Sequence, residues 1–219
     1  MKFKEAVTYD DMLIVPQYSD IESRKEVDIG SNLGHRELRL PIIASPMDTV
    51  SGVDMAIAMY RAGGLAVLHR YNTIEEQRRM AREVIDHTEW SGNVAAAIGV
   101  TGNYLQRAES LVAVGVDILC VDVAHGHHSL MKKALTTLRE AFDNHIYIMA
   151  GNVCTLEGIN DLADWGADAV RCNIGGGSIC STRIVTGHGL PGLQTIFDCA
   201  RTDRDVKIIA DGGIKTSGD

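Results

Sequence analysis

The chain has 219 residues, 45 % apolar and 23 % charged, and a net charge of −8 from 21 basic and 29 acidic residues. This is globular composition, long enough for one large domain or two small ones with a full core. The acidic balance excludes nucleic acid or an anionic membrane as the main partner, though not a local cationic pocket for one phosphate. No apolar run reaches the ~18 residues of a transmembrane helix.

The opening MKFKEAVTYDD lacks the apolar core of a secretory signal. In chain order, short apolar runs then alternate with amphipathic stretches. Strands are predicted at 40–44, 65–68, 94–98, 118–121, 146–150, 169–172 and 206–210. Helices are predicted at 53–61, 74–85, 104–114, 130–142, 156–165 and 192–200. The strands are four to five residues long and apolar on both faces, the mark of parallel strands buried on both sides. Gly64, Gly115 and Gly166 recur every 51 residues, each between a helix and the next strand. Two βα units of about 25 residues give that spacing, and Gly fits the left-handed position that closes a helix. Regular βα units without a dinucleotide fingerprint predict an α/β fold of the (β/α)8 TIM-barrel type.

The count stops at seven strands, and Thr216-Ser217-Gly218-Asp219 looks like the start of a further helix. The expectation is therefore one catalytic domain over 1–219, truncated after strand seven, with two unpaired strand edges. Five cysteines without close spacing make neither a disulfide framework nor a C-x-x-C zinc site, and a reducing cytoplasm is the expected location.

In such barrels the chemistry sits at the C-terminal ends of the strands. There the chain places Ser45-Pro46-Met47-Asp48, His69-Arg70, Asp122 to His127, Gly151-Asn152, Asn173 to Arg183 and Asp211-Gly212-Gly213. The GGGSICSTR segment says most. Its glycines let backbone groups turn toward a ligand. Ser178 offers a hydroxyl to a phosphate, and Cys180, beside Thr182 and Arg183, offers a nucleophilic thiolate. A Gly-rich surface turn with an incidental Cys accounts for the same letters. DVAHGHH offers His125 and His127 to a metal, but without matched ligand spacing. Asp122 reads as an acceptor for a sugar hydroxyl or as a helix cap. Asp211-Gly212-Gly213 joins a ribose-binding carboxylate to backbone N–H groups for phosphate, or is a common turn. The charged face of helix 74–85 reads as solvated. A Schiff-base aldolase would want a Lys at a strand end, whereas Lys207 opens its strand.

Taken together, YDDMLIVPQYS, SPMDTV, DVAHGH, AGNV, GGGSICSTRIVTGHG and IADGGIKTSGD resemble the IMP dehydrogenase/GMP reductase family over nearly the whole chain. The family fold is a (β/α)8 barrel. The resemblance implies that Cys180 attacks C2 of a purine nucleotide to give a covalent thioimidate. Thr182 would position the water or ammonia. Ser178 and Gly213 would hold the 5′-phosphate beside Gly212, Asp211 the ribose, and Met47 would line the purine. Asp122 and Asn152, with Arg171 nearby, would face NADP or NAD. Carbonyls of Gly175, Gly177 and Cys180 match a monovalent-cation loop, hence K+. The family forms homotetramers. Its frequent regulatory insertion (the CBS modules) is absent, since Ile85 runs straight to Asn93. The family's further phosphate loop and mobile flap would lie beyond Asp219.

Three departures stand out: Arg70 where many members have Lys, Asn173 where Gly is usual, and Gly176 for Pro or Ser. SRKEVD, DVAHG, His69-Arg70 and TGHG favour the reductase, which turns GMP and NADPH into IMP, ammonia and NADP. SPMDTV and RIV favour the dehydrogenase, which turns IMP, NAD and water into XMP and NADH. The reductase is the leading expectation. A catalytically silent nucleotide-binding fragment or assembly partner is the alternative of another class.

Overall fold

The computed structural model describes residues 5–88 and 94–219. Residues 1–4 at the start of the opening segment, and 89–93 in the step from the second helix toward Asn93, lie outside the described residues.

A short antiparallel hairpin, β1 (Ser31–Leu33) and β2 (Arg36–Leu38), comes first. Seven parallel strands follow: β3 (Ile43–Ala44), β4 (Leu65–Leu68), β5 (Ala95–Ile98), β6 (Ile118–Asp122), β7 (Tyr147–Val153), β8 (Ala169–Cys172) and β9 (Lys207–Ala210). Each pairs with the next in chain order, which curls the sheet into seven of the eight staves of a (β/α)8 barrel. The helices are α1 (Val53–Ala62), α2 (Ile74–Thr88), α3 (Tyr104–Val112), α4 (Ser129–Phe142), α5 (Leu156–Asp164), a five-residue α6 (Thr182–Thr186) and α7 (Gly192–Cys199).

The strands build two cores because successive side chains point to opposite faces. Ala66, Leu68, Ala96, Ile98, Leu119, Val121, Ile148, Ala150 and Val170 face outward. They meet Ala81, Val84, Leu111, Leu135, Leu138, Ile159 and Leu162 of the helices. Their neighbours Leu65, Val67, Ala95, Ala97, Ile118, Cys120, Met149 and Ala169 fill the interior. Each fully buried Leu or Ile contributes about 1.5–3 kcal/mol. Leu33 and Leu38 of the hairpin plug the interior from below. His35 Nε2 to Asp117 Oδ2 at 2.9 Å and Arg36 Nη2 to Gly64 O at 2.9 Å fasten that plug.

All seven predicted strands and six predicted helices form, with ends moved by a few residues. The hairpin and α6 are additions, since both are too short to show a periodicity. Residues 215–219 form a turn closed by Asp219, which accepts Lys215 N–H at 2.6 Å, and not the first turn of a helix. The glycine period needs one correction. Gly115 and Gly166 have φ of 105° and 111°, but the left-handed cap of α1 is Gly63, at φ 86°. Gly64 is instead a close approach: a Cβ there would lie 2.8 Å from Ile42 O.

Candidate active site

The alternation that makes the inner core continues one layer higher. Two residues beyond Ile43, Cys120, Met149, Ala169 and Ile209 stand Ser45, Asp122, Gly151, Arg171 and Asp211. Inward-facing apolar side chains thus give way to inward-facing polar ones at the C-terminal rim. Gly151 leaves the space that Arg171 occupies, because a Cβ there would sit 2.7 Å from Arg171 Cβ.

Arg171 is buried, and its guanidinium spans the rim. Nη1 reaches Asp122 Oδ1 at 2.6 Å, and Nη2 reaches Asp211 Oδ2 at 2.9 Å. Burial opposes the charge of Arg171, but the carboxylates of Asp211 and Asp122 outweigh it and hold the group protonated. Burial in turn pushes the Cys120 thiol up to about 11. Asn152 Nδ2 donates to Asp211 Oδ2 at 2.5 Å and to Asn173 O at 2.9 Å. Ser45 Oγ donates to the other Asp211 oxygen at 3.3 Å. Arg70 Nη2 donates to Asp122 O at 3.2 Å, and Arg70 Cζ lies 5.4 Å from the centroid of the Tyr71 ring.

Two glycine turns close the opposite wall. Gly212 and Gly213 have φ of 78° and 76°. A Cβ on Gly213 would fall 2.9 Å from Gly176 O, and one on Gly212 3.4 Å from Gly177 Cα. Any side chain at Gly213 would therefore force the turn away from the GGG loop. Asn173 also has positive φ, 140°, which costs a non-glycine residue about 1–3 kcal/mol.

Cys180 lies on the exposed part of this loop, where Cys180 N–H donates to Gly177 O at 3.1 Å. The Thr182 side chain, then the Thr182 backbone, hydrogen-bond to its sulfur and hold the thiol below the ordinary range for Cys. Cys120, Cys172 and Cys199 are buried. One cleft of about 670 Å3 is lined by Met47, Arg70, Asp122, Asn152, Arg171, Cys180 and Thr182, with Ser178 and Asp211–Gly213 on its wall.

The cleft thus gathers every residue expected for nucleotide, cofactor and cation loop, but neither His125 nor His127. Asp122 is an ion-pair partner of Arg171, and His128 caps α4 instead, accepting from Leu130 N–H. His127 belongs elsewhere, against Asp161 of α5 at 2.7 Å. Ser45 and Asn173, placed on the rim by the sequence but given no role there, are partners of Asp211. The period-two extension from Ile43 would have shown Ser45 facing inward. Positive φ at Asn173 has no sequence signal.

Arg70, Tyr71, Val123 and Ala124 line the same cleft as Cys180, and Asp122 stands beside them in its ion pair with Arg171. Gly177 O, one of the three carbonyls expected in the cation loop, accepts Cys180 N–H at 3.1 Å.

A family model described as the IMP dehydrogenase / GMP reductase domain matches residues 6–219. Similar structures include inosine 5′-monophosphate dehydrogenase of Legionella pneumophila, 47 % identical with a TM-score of 0.89. That likeness covers 98 % of this chain and 64 % of the Legionella chain. GMP reductase of Trypanosoma brucei is 28 % identical with a TM-score of 0.90, over 99 % of this chain and 77 % of that one. In sequence, GMP reductase of Leishmania major is 30 % identical, covering 98 % of this chain and 71 % of the relative. This chain therefore spans about two thirds of the length of the proteins it matches.

Proposed function

Because this chain belongs to the IMP dehydrogenase / GMP reductase family, we propose that it carries the nucleotide half of a purine-nucleotide oxidoreductase acting at C2. The observation that carries this reading is a Cys180 thiol, lowered by Thr182, at the mouth of a cleft walled by two glycine turns.

In this reading Ser178 Oγ and the Gly212–Gly213 backbone bind the 5′-phosphate, where positive φ turns the N–H groups to one side. Asp211, fixed by Arg171, Asn152 and Ser45, accepts from the ribose hydroxyls. Met47 covers the base. Cys180 Sγ adds to C2 and makes an aromatic carbon tetrahedral, and Thr182 holds the water or ammonia that enters or leaves. Asp122, Asn152 and Arg171 line the side from which a nicotinamide approaches. When bound, NADPH or NAD gives or takes the hydride at C2. Arg70, tied to Asp122 O, closes that side. No step is assigned to a cation.

The reductase direction, GMP to IMP with NADPH, follows the SRKEVD, DVAHG, His69-Arg70 and TGHG segments. The second reading, oxidation of IMP with NAD, is favoured by the 47 % identity to the Legionella dehydrogenase. An eighth βα unit would pair with the outer edges of β3 and β9, which flank a cavity of about 690 Å3 above the hairpin. In this reading residues 1–219 belong to one catalytic domain without a regulatory insertion, working as a homotetramer in the cytoplasm.

The test is to supply GMP with NADPH, and IMP with NAD, and to follow the nicotinamide absorbance alongside covalent trapping of nucleotide. Trapping that Cys180→Ala abolishes is the expected result. No trapping and no absorbance change with either pair sinks the reading.

A further inference from the structure

Asn173 and Gly176 form one spatial unit. Asn173 is 4 % exposed, and its side chain lies in a slot between two glycines. A Cβ on Gly176 would fall 2.7 Å from Asn173 Oδ1 and closer still to Nδ2. A Cβ on Gly192, at the start of α7, would lie 3.3 Å from Nδ2. Within the slot Nδ2 donates to Asp211 O at 2.9 Å and Gly212 O at 3.1 Å. These carbonyls belong to the turn proposed to face the phosphate. Oδ1 has no hydrogen-bond partner among the described residues. The backbone of Asn173 begins the GGG loop at φ 140°, and Asn152 Nδ2 holds its carbonyl.

A residue kept at strained φ, in a slot that exists only because position 176 has no side chain, and used to bind two carbonyls, is a brace. We propose that Asn173 is a positioning residue that pins the 211–213 turn to the 173–178 loop, so that both backbones meet one 5′-phosphate. Gly176 is required for it: a side chain at 176 and the amide at 173 exclude each other. This rests on the nucleotide reading above, and goes beyond it by assigning the loop geometry to two cleft-lining positions that the reading leaves without a role.

The test is a double-mutant cycle on the 219-residue chain with Asn173→Gly, Gly176→Ser and the pair. Amide hydrogen exchange over 208–214, thermal midpoint, and affinity for IMP and for inosine are measured. Asn173→Gly removes two hydrogen bonds, so exchange at 211–213 should quicken about tenfold and IMP affinity fall about tenfold. Inosine, which has no phosphate, should keep its affinity. Gly176→Ser alone should lower the midpoint, and in the Asn173→Gly background that penalty should vanish. Unchanged exchange in Asn173→Gly, or an equal Gly176→Ser penalty in both backgrounds, overturns the brace. Equal losses for inosine and IMP overturn its phosphate role. A native chain that takes up neither IMP nor inosine overturns the nucleotide reading instead, with the exchange and midpoint results still deciding the brace.

Discussion

Arg171 Nη2 stands 2.9 Å from Asp211 Oδ2, and the other arm of the same guanidinium holds Asp122 at 2.6 Å. One buried cation thus fixes the carboxylate assigned to the ribose and the carboxylate assigned to the cofactor side. Removing one member of a buried ion pair costs about 3–5 kcal/mol, because the partner stays desolvated and unpaired. Arg171→Met should lose that much stability in urea unfolding of the ligand-free chain, and should fail to trap nucleotide. Arg171→Lys keeps the charge without the fork and should fall between. A native unfolding midpoint in Arg171→Met would show that the two carboxylates are well solvated without it.

Cys180 should be a thiolate at lower pH than an ordinary thiol. Its pKa is lowered first by the Thr182 side chain and then by the Thr182 backbone. The charged form is therefore present below the usual Cys range and is lost as pH falls through the lowered value. Alkylation of Cys180 by iodoacetamide should level off at a lower pH than alkylation of a peptide thiol. Thr182→Val should move the profile upward and slow labelling at neutral pH about fivefold, the worth of one hydrogen bond. Superimposable profiles for the two proteins would remove Thr182 from that role.

Gln77 of α2 is fully buried and ties three elements together. Its Nε2 donates to Ala97 O of β5 at 2.8 Å, and its Oε1 accepts from Arg107 of α3 at 2.7 Å. Gln77→Leu would strand a buried carbonyl and take one partner from Arg107, at a cost of about 1–3 kcal/mol. Cys180 lies in the rim loop after β8, so its alkylation rate should stay native. A variant as stable as the native chain would mean that water replaces both bonds.

Gly126 lets the loop after β6 lie on the backbone of β7. Its N–H donates to Asn152 O at 2.7 Å, and a Cβ would come within 3.0 Å of that oxygen. Neither contact can turn aside, because both belong to backbone. Gly126→Ala should cost about 1–3 kcal/mol and weaken binding of nicotinamide dinucleotide more than covalent capture of nucleotide. Equal loss of both would place the loop outside the cofactor side.

The predicted strands and their order were legible because strands buried on both faces are continuous apolar runs. The rim residues were legible because each follows such a run. Short pieces were not: the hairpin at 31–38 and α6 have too few residues for a period to show. The turn at 215–219 has the Ser, Thr and Asp composition of a helix start, but Asp219 folds back on Lys215 and Thr216. Gly63 and Gly64 stand side by side, and only backbone dihedrals reveal which one closes α1.

Local pattern determined the barrel type, the strand order and the list of side chains at its mouth, since periodicity and chain order are properties of the letters alone. Contact between distant segments decided the rest. That Arg171 joins Asp122 to Asp211, and that Asn173 shares a space with Gly176 and grips residues 211–212, depends on strands and loops far apart in sequence converging within hydrogen-bond reach. Such distances arise only when the sheet curls.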